Sequence, residues 1–147
     1  MVISTIDGVL IAWLKDVVVE ERVRKWCLLP YPGHPHGCPN YGNRELCPPK
    51  ARMFYELVQP PYVLVAVLFD LNAHVQRMKE RHPKWTDRQL RCLLYWQGHV
   101  AKKLEEICNR VKQEDSFIVY CPDGAGVNRL RVFLTFRYVA IFLSRNL

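Results

Sequence analysis

Tyr62-Val-Leu-Val-Ala-Val-Leu-Phe-Asp70 is an almost unbroken apolar run, rich in valine and leucine. A strand with one wet face alternates apolar and polar side chains, whereas a continuous run of this length describes a strand buried on both faces. Strands of that kind are typical of parallel sheets with helices on either side. Working outward, Leu71–Arg81 reads as a helix ended by His82-Pro83. A second, longer helix follows from Thr86 to about Lys112. Thr86 and Gln89 make a capping box at its start, and Leu90, Leu93, Leu94, Ala101, Leu104, Ile107 and Val111 recur at three- and four-residue spacing to give one core-facing stripe. Ser116–Tyr120 is a short buried strand, Cys121-Pro-Asp-Gly-Ala-Gly a tight turn, Val127–Tyr138 a helix and Val139–Leu143 a further strand. Trp85, Tyr95, Trp96, Phe133 and Phe136 fall at helical spacings and are read as core. On the N-terminal side lie an apolar strand, Gly8–Leu14, a charged amphipathic segment, Asp16–Trp26, and a short helix, Lys50–Val58, with prolines at its first turn. Strands alternating with helices predict one α/β domain spanning residues 1–147, with a small, mostly parallel sheet flanked by helices.

Between these elements the composition changes abruptly. Residues 27–49 hold six of the ten prolines and three of the seven glycines, which rules out regular helix or a central strand. A loop this long inside a compact domain is uncommon unless something organises it. Cys27, Cys38 and Cys47 suggest the organiser, because thiolates suit zinc and iron–sulfur clusters and a bound metal orders the segments that ligate it. Cys121, at the carboxyl end of a predicted strand, is the best fourth ligand. Structural zinc sites usually pair their ligands two to four residues apart. Here ten and eight residues separate the three loop cysteines, and Cys38, Cys47 and Cys121 are each followed by proline, as is the last cysteine of bacterial ferredoxin motifs. The expected centre is therefore a 4Fe–4S cluster, with Zn as the alternative. Cys92 could replace Cys27 or Cys121. His34 and His36 would favour zinc as ligands, although Pro-Gly-His-Pro-His-Gly is better read as a solvated turn. Cys108, beside the helical stripe, is expected in the core.

Cys38-Pro-Asn-Tyr-Gly42, followed at short distance by Cys47-Pro-Pro49, resembles the signature of a poorly characterised group of predicted metal-binding proteins of archaea, bacteria and their viruses, expected to carry iron–sulfur centres. Leu93-Leu-Tyr-Trp-Gln-Gly98 and Cys121-Pro-Asp-Gly-Ala-Gly-Val-Asn128 are similar to segments of the same group, and the matching stretches cover about half of the chain. The resemblance implies metal binding and says little about a reaction. Additional C-terminal cysteines carried by some members are missing, so a second centre is not implied.

Asp123, Gly124, Gly126 and Asn128 form a fragment of an anion-binding turn between a strand and a helix, and would hold a small anionic cofactor or ligand. It lacks GxGxxG and a Lys-Ser/Thr pair, and a tight turn beside the metal centre explains it equally well. No Ser-His-Asp order, His-Glu-x-x-His or CxxxCxxC motif points to a hydrolase or to radical chemistry. The chain has a net charge of +7 and no long Lys/Arg block, so a nucleic-acid partner is less favoured than a small anion or a redox partner. Its longest apolar stretches fall far short of the roughly 20 residues of a membrane span. With no basic segment ahead of an apolar run at its start, and cysteines suited to a reducing compartment, the chain is expected in the cytoplasm. The functional expectation is an iron–sulfur protein with an electron-transfer or Lewis-acid role. The alternative is a structural zinc module that binds nucleic acid or a protein partner.

Overall fold

The computed structural model describes residues 3–31, 33–132 and 139–145. Its centre is a five-stranded sheet of β1 (Ile3–Ile6), β2 (Val9–Leu14), β3 (Gln59–Val67), β4 (Ser116–Val119) and β5 (Val139–Arg145), in the order β1-β2-β3-β5-β4. Every neighbouring pair is antiparallel. This overturns the mostly parallel sheet expected from the sequence. The strand expected over Tyr62–Asp70 ends at Val67, with residues 62–67 buried or half-buried and Leu68 and Asp70 exposed beyond it, and burial of the strand on both faces does not fix its direction. β3 runs between β2 and β5, aligning Leu64 with Ala12 on one side and with Phe142 on the other. β1 and β2 form a hairpin around Asp7 and Gly8, both at positive φ (50° and 74°), as a tight hairpin turn requires.

Alternate side chains of β3 enter two separate cores. Val65 and Val67 face α4 (Gln97–Val111) and meet Val100, Leu104 and Cys108. Tyr62, Leu64 and Ala66 face the other way, onto Phe54, Val58, Ala125 and Val127. Phe54 belongs to a single-turn helix, α1 (Phe54–Leu57), shorter than the segment Lys50–Val58 expected from the sequence. The second face of the sheet is thus covered largely by irregular chain, where a parallel α/β fold would place another helix.

α2 (Leu71–Arg81) has the bounds read from the sequence and begins with the Asp70 carboxylate accepting from the Ala73 N–H at 2.8 Å. The long helix expected from Thr86 is interrupted. The Thr86–Gln89 capping box opens only α3 (Asp87–Leu90). Cys92 is extended, a 3₁₀ turn covers Leu93–Tyr95, and α4 then begins afresh. Trp96, at the junction, stacks on Phe69 with ring centroids 4.4 Å apart. Leu90, Val100 and Leu104 are buried, whereas Leu94, Ala101 and Val111 are exposed, so the apparent single stripe joins the faces of two helices. The helix expected over Val127–Tyr138 is present as α5 (Arg129–Val132); residues 133–138, with Phe133 and Phe136, lie outside the described residues.

Leu104 is fully buried between α4 and the sheet. Leu104→Ala should lower the unfolding free energy by about 2–5 kcal/mol, while Leu94→Ala, on an exposed side chain, should change it by less than about 0.5 kcal/mol. Urea denaturation of the two variants checks the difference.

Cys108 is fully buried, as expected from the sequence, and burial pushes its thiol pKa from 9.0 up to about 11. The unfolded chain releases this proton first, so stability falls as pH rises from about 9 to about 11, by at most about 3 kcal/mol. In Cys108→Val that share of the alkaline loss should disappear. Denaturation midpoints of both proteins across that pH range measure it.

Candidate metal centre

Cys27 stands at the end of a 3₁₀ helix, Glu21–Leu28. The loop that follows has hydrogen-bonded turns of its own. Tyr31 and His34 exchange backbone hydrogen bonds at 3.1 and 2.8 Å. At Gly37 (φ 86°) a Cβ would lie 2.6 Å from the Cys27 carbonyl oxygen, so only glycine lets the chain pass here. The Cys38 N–H then donates to that same carbonyl at 2.7 Å, binding the first two cysteine segments together. Further on, the Cys47 N–H donates to Arg44 O and the Gly42 N–H to Pro48 O, closing the loop on itself.

Arg24 fastens the end of the loop to the helix that bears Cys27. Its guanidinium donates to the carbonyls of Pro49 (3.0 Å) and Ala51 (2.5 Å) and contacts Met53 Sδ at 3.4 Å. Nothing in the sequence marks this arginine among the other basic residues of an amphipathic segment.

Cys121 arrives from the other end of the chain, two residues beyond β4. A Cβ at Gly124 would lie 2.9 Å from Cys121 Sγ and 3.2 Å from Pro48 Cδ, so the turn after Cys121 packs directly on the segment after Cys47. The turn is knitted into its surroundings. Gly126 O accepts from the Glu20 N–H at 2.7 Å, Ala125 O from the Phe54 N–H at 2.9 Å, and the Asn128 N–H donates to Val18 O at 2.8 Å. The buried Asn128 side-chain amide donates to the Glu20 carboxylate, and Arg129 pairs with Asp123.

The four thiols act on one another. Cys27 is pushed up to about 11, first by burial and then by the charges of Cys121, Cys38, Asp123 and Cys47. Burial also raises Cys47, with Cys38 adding to the effect and Arg44 opposing it. Cys121 is raised by burial, while a hydrogen bond from the Gly124 backbone and the charge of Arg129 pull it down. The remaining two cysteines stand apart, Cys108 in the core against α4 and Cys92 in the extended link after α3. The loop does border that link, since a Cβ at Gly33 would lie 3.0 Å from Leu94 Cδ1. His34 is engaged with the Tyr31 ring at 4.6 Å, and His36 is exposed.

The anion-binding reading of Asp123, Gly124, Gly126 and Asn128 meets a different arrangement. The N–H groups of Ala125, Gly126, Val127 and Asn128 all donate to backbone carbonyls. The Asp123 carboxylate is held by Arg129, and α5 is a single turn. These residues build the turn and seat it on the sheet. Among the described residues no three histidine, cysteine or carboxylate side chains are placed so that they could hold a metal ion together.

Compared with protein-family models, with curated proteins and with solved structures, the chain finds no match in any of the three.

Arg24→Ala removes the donors to two carbonyls at the loop's end. It should cost about 1–3 kcal/mol of stability and speed deuterium exchange at the Ala51 amide, which donates to Cys47 O at 3.0 Å. Arg24→Lys, which has no planar fork, should recover only part of both effects. Denaturation and exchange mass spectrometry provide the readouts.

Proposed function

We propose that the chain holds one metal centre, a 4Fe–4S cluster, on the thiolates of Cys27, Cys38, Cys47 and Cys121, and serves in electron transfer. The observation that carries this reading is the sorting of the six cysteines. Four of them lie on segments joined by the Cys38–Cys27 backbone bond and by the packing of the turn after Cys121 on Pro48, although Cys47 and Cys121 are 74 residues apart in sequence, and Cys92 and Cys108 stand elsewhere. Thiolates so gathered repel one another, and a cation between them removes that penalty. Metal binding would draw the four thiols together, or bridge them with a cluster of several atoms.

A cluster is preferred to zinc for two reasons. The loop has no short-spaced ligand pair of the zinc-knuckle kind, and prolines follow three of the four cysteines. When bound, such a cluster supplies one-electron transfer, and Lewis acidity if one iron lacks a protein ligand. Four available cysteines favour the first. The residues of the chain would hold the sulfurs in place through the Cys38–Cys27 backbone bond, the Arg24 clamp and the Gly124–Pro48 contact, and Arg44 and Arg129 would offset the negative charge. Among the described residues no helix is long and apolar enough to cross a membrane. The reading places the protein in the reducing cytoplasm, where six free thiols are chemically at home.

The alternative is a structural zinc module with a nucleic-acid or protein partner. It is favoured by the helical segment Leu71–Lys112, which holds ten of the 21 basic residues and only four of the 14 acidic ones. His82 stacks on Trp85 there with ring centroids 3.9 Å apart, next to the half-exposed Tyr95.

Protein purified without oxygen should be brown and contain about four irons and four sulfides per chain. Single replacement of Cys27, Cys38, Cys47 or Cys121 by Ala should remove most of that iron, and Cys92→Ala and Cys108→Val should retain it. Full retention in all four ligand variants would sink the ligand set. A colourless protein with one zinc would replace the cluster by the structural module, and salt-dependent nucleic-acid affinity would then be measured.

A further inference from the structure

Beside the thiol group lies a cavity of about 350 Å³, between the end of the cysteine loop and β4. Its volume falls within the range of small-molecule sites, roughly 300–1,000 Å³. Leu57, Phe117, Val119 and Ala125 give it apolar walls, and Cys121 is part of its lining. Leu46 and Tyr120, both among the exposed large hydrophobic residues, also line it. They present apolar surface that an occupant would cover.

The charged groups in the lining are Lys50, Arg52 and Glu45. Lys50 and Glu45 approach each other at 3.5 Å, both well exposed, a pair of the kind that contributes little and is easily exchanged. Arg52 has no hydrogen-bond or ion-pair partner among the described residues. The lining therefore carries two cations against one carboxylate, with an uncommitted guanidinium suited to bidentate binding of an oxyanion.

We propose that this cavity binds a small amphiphilic monoanion, an apolar body of several carbons ending in a carboxylate. The carboxylate is held by Arg52 and Lys50, and the body lies against Leu57, Phe117 and Val119. Because Cys121 lines the same cavity, the ligand sits beside the thiol group. The site is built from the cavity and its charges, and it stands whether or not the thiols carry a metal.

Octanoate is the probe, with octylamine as the charge-reversed control, titrated calorimetrically into the full chain whose metal content is measured in the same sample. Octanoate should bind saturably in about the millimolar range, as befits a ligand of this size. Octylamine should bind at least about tenfold more weakly. The double substitution Lys50→Ala, Arg52→Ala falls on exposed side chains and should leave thermal unfolding unchanged while weakening octanoate by about tenfold or more. Amide resonances of Val119, Tyr120 and Cys121 should shift on binding. Absence of saturable octanoate binding, equal binding of octylamine, or an unchanged affinity in the double variant would each overturn the proposal. A sample that contains metal and fails to bind octanoate sinks this site alone; one that binds octanoate and contains no metal sinks only the metal reading.

Discussion

β3 must be covered twice. Its alternate side chains, Val65 and Val67 on one face and Tyr62, Leu64 and Ala66 on the other, are all buried, and each face needs its own partner. α4 supplies one cover in the ordinary way, with an apolar stripe on a regular helix. The other cover is made by α1 and the turn 121–128, whose backbone polar groups cannot be satisfied by a regular ladder. A buried N–H or C=O without a partner is costly, and the carbonyls and amides of Val18, Glu20, Phe54, Ala125, Gly126 and Asn128 are accordingly paired across three chain segments. The position of Cys121 relative to Cys27 and Cys47 is a consequence of that pairing. Cys121 thus belongs to the lid of the sheet, and the turn that follows it packs on Pro48, next to Cys47.

The same circumstance explains what could be read in the sequence. The burial of residues 62–67, the bounds of α2, the capping box at Thr86 and the core position of Cys108 rest on local pattern, and local pattern was sufficient. Strand direction was not legible, because a strand covered on its second face by irregular chain has the same apolar run as one covered by two layers of helix. The break between α3 and α4 was also hidden. Leu90, Leu93 and Leu94 continue in helical phase with Leu104, and only the extended backbone at Cys92 and the stacking of Trp96 on Phe69 separate them. The loop's cysteines stood out by composition. Arg24 and Glu20, which hold the loop and the turn in place, carry no signal at all, since their partners are backbone carbonyls and an amide more than 20 residues away.

Charge around the thiols is balanced at short range. Asp123 adds to the negative field at Cys27 and Cys121, and Arg129 pairs with that same carboxylate while opposing the rise at Cys121. Arg44 does the equivalent at Cys47. The turn 123–128, for which the sequence allows an anion cradle or equally a tight turn, spends the N–H groups of residues 125–128 on backbone carbonyls. At the neighbouring cavity, Arg52 has no side-chain partner among the described residues.

The lid's two halves also arrive at different times. As the chain leaves the ribosome, β2, the cysteine loop, α1 and β3 emerge in succession, and the turn 121–128 follows only after α2, α3 and α4. Until then Leu64 and Ala66 have lost only part of their contact with water, on the central strand of the sheet. β5, which pairs with β3 along its free edge, comes later still. A nascent chain halted before residue 121 would expose both an apolar face and an unpaired strand edge, the combination that recruits chaperones and invites aggregation.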